Sequence, residues 1–377
     1  MIHRVSVLAI ALVSASACGS TPVAPERPCD QPAVAGVLGT LCGFAEPEDV
    51  EAVEAAGVLL VTEQGWAAPS GGGAIAAVVL PAAHGPVGPP FRLWPPAPPG
   101  TERRLAASLS FGDPSCPFPA ELERFSPHGL TSRRSEAGRS LVAVVRHGER
   151  EGIELFELSG EGPSAALRWV GCVLLPDDTA GNDVVFAPSG ELLVTNFLPT
   201  VTGPRAVANQ IGAGLGIDTG DVLGWTAAGG WRHVPNSAGA MPNGIVVSED
   251  GAFAYVAEVG SRGLYRVQLD GRRERETVAS FDGHPDNLSW TPSGTILVAL
   301  LRGRSDGLPW CRAPLPGCAS PWSLLEFDPR TSKTSELLQH DGTALHSVTS
   351  AARVGPWTFF GSMADDRIGV LLGESGG

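Results

Sequence analysis

Lysine is nearly absent from this 377-residue chain: Lys333 stands alone, and acidic residues outnumber basic ones for a formal net charge of -14. Without a basic stripe to neutralise phosphates, nucleic-acid binding is excluded as a working function. Long helical periodicities are also scarce, while 48 Gly and 33 Pro punctuate a chain that is 43% hydrophobic. That combination describes a large core built from short strands and turns. No G-x-S-x-G, H-E-x-x-H or C-x-x-C pattern occurs, so serine-hydrolase, zinc-protease and thiol-redox chemistry have no motif to rest on. Gly212-Ala213-Gly214-Leu215-Gly216 lacks the strand and helix that flank a dinucleotide site and reads as loop.

A short apolar run follows a basic start. Met1-Ile2-His3-Arg4, the apolar residues 5–15 and the small residues before Cys18 form an export signal, too short to span a membrane (residues 1–17). Cys18 resembles a bacterial lipobox cysteine, with cleavage after Ala17 as the rival reading, so the expected location is the periplasm, outer membrane or cell surface. Residues 18–32 read as a Pro-rich tether and residues 33–377 as one domain. Seven cysteines are odd; setting Cys18 aside for a lipid leaves six that can pair in an oxidising compartment. Cys311 with Cys318, Cys116 with Cys172 and Cys29 with Cys42 are the preferred pairings among many possible ones.

One phrase recurs six times: a polar residue, a few apolar ones, a turn ending in Gly, then a β-rich run. The copies begin at Pro47, Pro127, Gly181, Pro242, Pro285 and Leu345, and their turn glycines are Gly57, Gly138, Gly190, Gly251, Gly294 and Gly355. Such spacing suits four-stranded blades, so the chain is expected to be all-β, a six-bladed β-propeller. The long first interval, with Gly71-Gly72-Gly73 and the proline cluster at 89–99, is expected to be a surface insertion. After Gly355 only about two strands of chain remain. The last blade is therefore expected to be completed by an N-terminal strand.

Equivalent positions in a propeller converge on its axis. The polar residues opening the six copies are Glu48, His128, Asn182, Asn243, Asn287 and His346. Around that axis the sequence places the oxygen donors Glu48, Asn182, Asn243, Asp286 and Asn287, with no cysteine. Hard carboxylate and amide oxygens suit Ca²⁺ better than Zn²⁺. Asp49 and Asp183 are neighbours that point differently and allow a second calcium. The same residues also serve turns, Asn243-Gly244 being a common turn signal. In the second copy, alternation over Leu141-Val142-Ala143-Val144-Val145 and Ile153-Glu154-Leu155-Phe156-Glu157-Leu158 predicts two antiparallel strands joined by a turn at 148–152. His147 then ends one strand and His128 precedes the same sheet, so both imidazoles can reach one face.

PEDV, PHGL, VVRHGEREGIELF, GNDVV, PNGIVVSEDGAFAYVAE and PDNLSW, in this order and approximate spacing, resemble the paraoxonase (arylesterase) family within the gluconolactonase-like and strictosidine-synthase-like propellers. The resemblance runs from about Cys42 to the C-terminus. It implies a catalytic calcium held by Glu48, Asn182, Asn243, Asp286 and Asn287, and a structural calcium held by Asp49, Asp183 and the backbone carbonyl of Leu130. It also implies His128 as general base with His147 as its partner, acting on a small-molecule lactone or aryl ester. The chain departs from the family at Phe197-Leu198 and Leu301, where paraoxonases carry polar or histidine pocket residues, so a more apolar pocket is expected. No cysteine follows Cys318 to tie the ends of the ring, which leaves strand pairing or a different disulfide for closure. The rival expectations are a ligand- or protein-binding propeller with structural calcium, and a sugar lactonase.

Overall fold

The computed structural model describes residues 28–65, 72–82, 85–95, 111–116, 119, 121, 124–134, 138–148, 150–199, 204–303 and 319–373. The export signal, Cys18, Cys311 and Cys318 lie outside the described residues. Among the described residues, twenty-four strands form six four-stranded antiparallel sheets. The first blade holds β2 (Pro47–Val53), β3 (Val58–Glu63), β4 (Ala74–Val79) and β5 (Phe91–Trp94), after a preceding strand β1 (Leu38–Cys42). The second holds β6 (Ser126–Arg134), β7 (Ser140–His147), β8 (Gly152–Ser159) and β9 (Ala166–Leu174). The third holds β10 (Gly181–Phe186), β11 (Leu192–Asn196), β12 (Asp221–Thr226) and β13 (Gly230–His233). The fourth holds β14 (Pro242–Val247), β15 (Phe253–Glu258), β16 (Gly263–Gln268) and β17 (Glu276–Ser280). The fifth holds β18 (His284–Trp290), β19 (Ile296–Leu301), β20 (Trp322–Asp328) and β21 (Lys333–His340). The sixth joins β22 (Val348–Val354), β23 (Trp357–Ser362) and β24 (Arg367–Leu372) to β1, in the order β1-β24-β23-β22.

The ring therefore closes by strand pairing, as the remaining chain length predicts, with Leu38 opposite Leu371 and Cys42 opposite Arg367. Cys29 and Cys42 form a disulfide within the closing segment, and Cys116 and Cys172 form another, both in the expected pairings. All six turn glycines have positive φ, from 52° to 91°, the conformation glycine adopts without a Cβ penalty. Two local expectations change. Gly212 and Gly214 belong to a helix, α1 (Pro204–Gly214), inserted between β11 and β12, because small residues spaced along a turn of helix are tolerated where no strand ladder competes. Within the proline-rich interval the four proline-free residues Phe91–Trp94 pair as β5, the outermost strand of its blade. No helix among the described residues is long and apolar enough to cross a membrane.

The core lies between blades. The second strand of each blade is buried on both faces, and alternate residues serve opposite neighbours. Val58 and Leu60 of β3 pack toward blade two with Val142, Val144 and Phe156, whereas Leu59 and Val61 pack toward blade six with Phe359 and Ile368. The same split repeats on β19: Ile296 and Val298 face blade four, Leu297 and Ala299 face blade six. This is why these strands read as continuous apolar runs.

Residues 111–116 run beside β9, where the Asp113 N–H donates to the Cys172 carbonyl at 2.8 Å and both disulfide cysteines are buried. The Cys116–Cys172 bridge closes a loop with a sequence separation of 56. Replacing both with alanine is expected to lower unfolding free energy by about 3 to 4 kcal/mol, from the chain entropy released. Denaturant titration of the oxidised parent and the double variant reads this directly; equal midpoints would show the bridge to be dispensable.

Candidate metal and histidine site at the propeller axis

Every inner strand breaks its ladder at its first residues. The register slips between Pro47 and Asp49, Pro127 and Leu130, Gly181 and Val184, Pro242 and Ile245, Pro285 and Leu288, and Val348 and Ser350. Each slip inserts one residue, a bulge that re-aims side chains where a regular strand would alternate them. Glu48, His128, Asn182, Asn243, Asp286 and Asn287 all sit in these bulges. The sixth bulge carries Thr349, which corrects the expected equivalence of His346. His346 precedes β22 and is buried, with its N–H donating to Asp365 Oδ2 at 3.2 Å. Thr349 and Ser350 instead donate their hydroxyls to the Glu48 carbonyl at 2.6 and 3.0 Å, tying blade six to blade one.

The approach to the axis is strained and crowded. Glu46, Met241 and Ser347 each precede an inner strand with φ of 56°, 56° and 50°, left-handed conformations that non-glycine residues hold only when their surroundings impose them. A Cβ on Gly129 would lie 2.5 Å from Asp183 Oδ1, and one on Gly244 would lie 2.6 Å from the Asn287 Cα. Polar side chains ending the second strands pin the incoming loops: Glu63 accepts the Ala45 N–H at 3.0 Å, Asn196 the Ala180 N–H at 3.2 Å and Glu258 the Ala240 N–H at 2.7 Å.

The expected residues do come together. Asn287 Nδ2 donates to Glu48 Oε1 at 3.1 Å, and His128 Nε2 lies 3.5 Å from the same oxygen. Asn182 Nδ2 lies 3.2 Å from His128 Nε2. His147 Nε2 is 3.1 Å from His128 Nδ1, with the rings edge-on at 4.9 Å between centroids, and His147 Nδ1 is 2.8 Å from Glu151 Oε2. Gln64 Nε2 lies 2.8 Å from His128 Nδ1. Sequence reasoning missed Gln64 and Glu151. Glu151 sits in a charged turn that reads as solvated surface, and Gln64 follows a strand end 64 residues before His128, with no local signal.

Four buried oxygens, Glu48 Oε2, Asn182 Oδ1, Asn243 Oδ1 and Asn287 Oδ1, have no hydrogen-bond partner. An unpaired buried acceptor ordinarily costs about 1–3 kcal/mol, so four at one axis fit a hard cation that takes oxygen ligands. Among the described residues the clustered His, Cys, Asp and Glu ligand atoms are those of Cys29, Cys42 and Asp366, and both thiols there are consumed by the disulfide. The axial donors differ in kind, since three of the five are amides. Asp49 and Asp183 are placed differently. Asp49 accepts the Val50 and Leu130 N–H groups at 2.8 and 2.9 Å, and Asp183 those of Val184 and Ile245 at 2.7 and 2.8 Å. Leu130 thus presents its N–H to Asp49, and the open-oxygen observation does not extend to this second pair. Below them a cavity of about 530 Å³ follows the inner strands to their far ends, lined by Glu51, Ser132, Ser289 and Arg353 among others. Phe197 and Leu198 are half-buried beyond β11, whereas Leu301 is buried within its blade opposite His284, so it offers little surface to a ligand.

Burial, with repulsion from Asp49, Asp286 and Asp183, holds the Glu48 carboxyl well above the usual carboxylate range, against the opposing Asn287 hydrogen bond. Burial raises Asp286 to about 8 and Asp49 to about 7, and burial with the Asp49 charge raises Asp183 well above its ordinary value. Burial, then the neighbouring His147, holds His128 well below the ordinary imidazole range. Unfolded carboxyls ionise near pH 4 (roughly), so the raised groups stabilise the metal-free fold fully below that pH, and the stability is lost as pH rises through about 7 to 8. His128, with His284 and His340, contributes with the opposite sign, its share being lost as pH falls below about 6.5, but these are three groups against the four axial carboxyls and the likewise raised Glu51 and Glu63. Chelator-treated protein should therefore unfold at lower temperature near pH 8 than near pH 5 (about), and added Ca²⁺ should remove the difference. A Tm that is flat or rising over this range in chelator would contradict the burial of these carboxyls.

No family model matches the chain. A sequence match to the strictosidine synthase-like 8 protein of Arabidopsis thaliana is 34% identical over 62 residues, 16% of this chain and 16% of that protein. Among solved structures, a gluconolactonase of Xanthomonas campestris shares 17% identity with a TM-score of 0.51, covering 94% of this chain and 99% of the other. A luciferin-regenerating enzyme shares 14% identity with a TM-score of 0.51, covering 90% and 98%. At these identities the likeness is one of fold, and that fold is the six-bladed β-propeller of four-stranded blades.

Proposed function

We propose that this chain is an exported, calcium-dependent hydrolase of lactones and activated esters. The observation that carries the reading is the set of four unpartnered buried oxygens from Glu48, Asn182, Asn243 and Asn287, set beside the imidazole of His128. Glu48, Asn182, Asn243, Asp286 and Asn287 would hold the ion. Bound there, calcium supplies a Lewis acid that polarises a carbonyl oxygen and stabilises an oxyanion. A second ion at Asp49, Asp183 and the Leu130 carbonyl is supported by the two buried charges rather than by open oxygens. Export is supported by two disulfides; a lipid anchor at Cys18 remains part of the proposal.

The histidines do the proton work in this reading. Burial keeps His128 neutral near neutral pH, so one ring nitrogen keeps a lone pair that can take a water proton once the Asn182 amide N–H, 3.2 Å away, gives way to the water. His147 holds the His128 ring edge-on from the next strand, and Asn182 holds its opposite nitrogen. Calcium is a weaker Lewis acid than zinc, which favours lactones and aryl esters over amides. Half-buried Phe197 and Leu198, at positions where the paraoxonase resemblance puts pocket residues, are apolar, which favours less polar substrates over sugar lactones.

A lactone and aryl-ester panel with calcium, and again after chelation, tests the function. His128→Gln is expected to lower kcat by about 10²- to 10⁴-fold, or roughly 3 to 5 kcal/mol of transition-state stabilisation, with calcium affinity little changed. Asn243→Ala should instead weaken the metal site, and excess calcium should recover part of its activity. Near-parental turnover by His128→Gln would remove the base assignment. If the parent hydrolyses nothing in the panel, a non-catalytic ligand-binding propeller is the better reading.

A further inference from the structure

The hydrogen-bonding roles of both imidazoles follow from one residue outside the ligand set. Glu151 Oε2 lies 2.8 Å from His147 Nδ1. An ionised carboxylate only accepts, so Nδ1 of His147 carries the proton, and in the neutral ring Nε2 keeps the lone pair. That Nε2 is 3.1 Å from His128 Nδ1, which donates to it when the His147 ring is neutral. The unprotonated nitrogen of His128 is then Nε2, the one 3.2 Å from Asn182 Nδ2 and 3.5 Å from Glu48 Oε1. Asn182 donates its amide N–H to that lone pair, which leaves Asn182 Oδ1 as the open acceptor. The chain of assignments also settles Gln64. Its Oε1 is buried without a partner while its Nε2 lies 2.8 Å from His128 Nδ1. As placed, that amide nitrogen would need Nδ1 to accept; exchanging the two amide atoms, which are interchangeable in shape, lets the Gln64 oxygen share the single Nδ1 proton with His147 Nε2 in a three-centre hydrogen bond.

Glu151 is held in place by its surroundings rather than by the ion pair alone. The turn from β7 to β8 is tied down by Arg146 Nη1 donating to the Arg150 carbonyl at 2.7 Å and by the Leu175 N–H donating to the Glu151 carbonyl at 3.2 Å. Arg146 is itself buried against Glu154 at 2.6 Å, and Trp169 Nε1 donates to the other Glu154 oxygen at 2.6 Å. Gly148 has φ of 138°, and a Cβ there would lie 2.0 Å from the Arg124 carbonyl oxygen, so the chain can take this turn only with glycine at that point.

We infer that Glu151 is a positioning residue: through His147 it selects the His128 tautomer whose Nε2 lone pair faces the axial oxygens. An amide at position 151 could accept from His147 or donate to it. His147 would then be free to carry its proton on Nε2, and His128 to carry its own on the nitrogen facing the axis, where it could not accept one. The kinetic consequence rests on the proposed hydrolase reading; the tautomer does not.

The experiment is ¹⁵N NMR of the imidazoles in the full chain and in Glu151→Gln, with lactone kinetics and calcium titration on both. The parent is expected to show His147 and His128 each protonated on Nδ1. Glu151→Gln is expected to lose that single pattern and to lower kcat roughly 10- to 100-fold, as for other partners that orient a functional histidine, with KM and calcium affinity unchanged. Protonation of His128 on Nε2 in the parent would overturn the inference, whether or not the variant folds. So would a folded Glu151→Gln that keeps the parental tautomers and turnover. If the parent hydrolyses no lactone, the NMR arm still decides the tautomer, and only the hydrolase reading fails.

Discussion

Four carboxyl groups, those of Glu48, Asp49, Asp183 and Asp286, are buried together at the propeller axis, and the cost of ionising them there, set by burial first and by repulsion between them second, is the constraint on which the rest of the site depends. Among the described residues their one ion-pair partner is His128, 3.5 Å from Glu48 and itself held neutral by burial. Buried charge without compensation costs several kcal/mol per ion. Such a group can keep its proton, accept backbone N–H groups, or neutralise a cation. Asp49 and Asp183 take the second course, reaching across to the next inner strand at Leu130 and Ile245. The missing Cβ atoms of Gly129 and Gly244 are what let neighbouring inner strands approach this closely. Glu48 and Asp286 lack such backbone partners and sit beside the open amide oxygens, which is where a cation would relieve the most.

Much of the architecture was legible because a propeller repeats its grammar. Turn glycines with positive φ mark the end of each inner strand, and the second strands are apolar on both faces, so six copies could be counted without knowing their contacts. The phase was less secure in the sixth copy. It offers no amide at the bulge, and the nearest polar landmark, His346, lies just outside the strand; Thr349 is chemically too ordinary to stand out. The axial oxygens were readable because amides and carboxylates are anomalous beside strands of valine and leucine. Gln64 and Glu151 were not, because what gives them meaning is a contact with an imidazole brought close by folding. Helix α1 escaped for a related reason: a Gly-rich stretch has no side-chain periodicity to announce it.

The site and the ring closure are one structure. Its donors come from four blades, and blade six, completed by β1, supplies the hydroxyls of Thr349 and Ser350 that hold the Glu48 carbonyl. Asn287 reaches Glu48 from blade five across a sequence separation of 239. Opening the ring between its first and last blades would strip Glu48 of those hydroxyl contacts and leave its charge without the geometry that accommodates it. An ion bound by the closed ring and not by the open one would stabilise closure by mass action. Metal affinity and ring stability would then be two measurements of the same free energy, and the histidine pair joins them at His128, 3.2 Å from Asn182 and 3.5 Å from Glu48, while His147 and Glu151 stand one contact further out. A scaffold that held an ion at these oxygens could keep it while the groups at His147 and Glu151 changed, so likeness of fold to a gluconolactonase carries less about reaction than the few residues from His128 to Glu151.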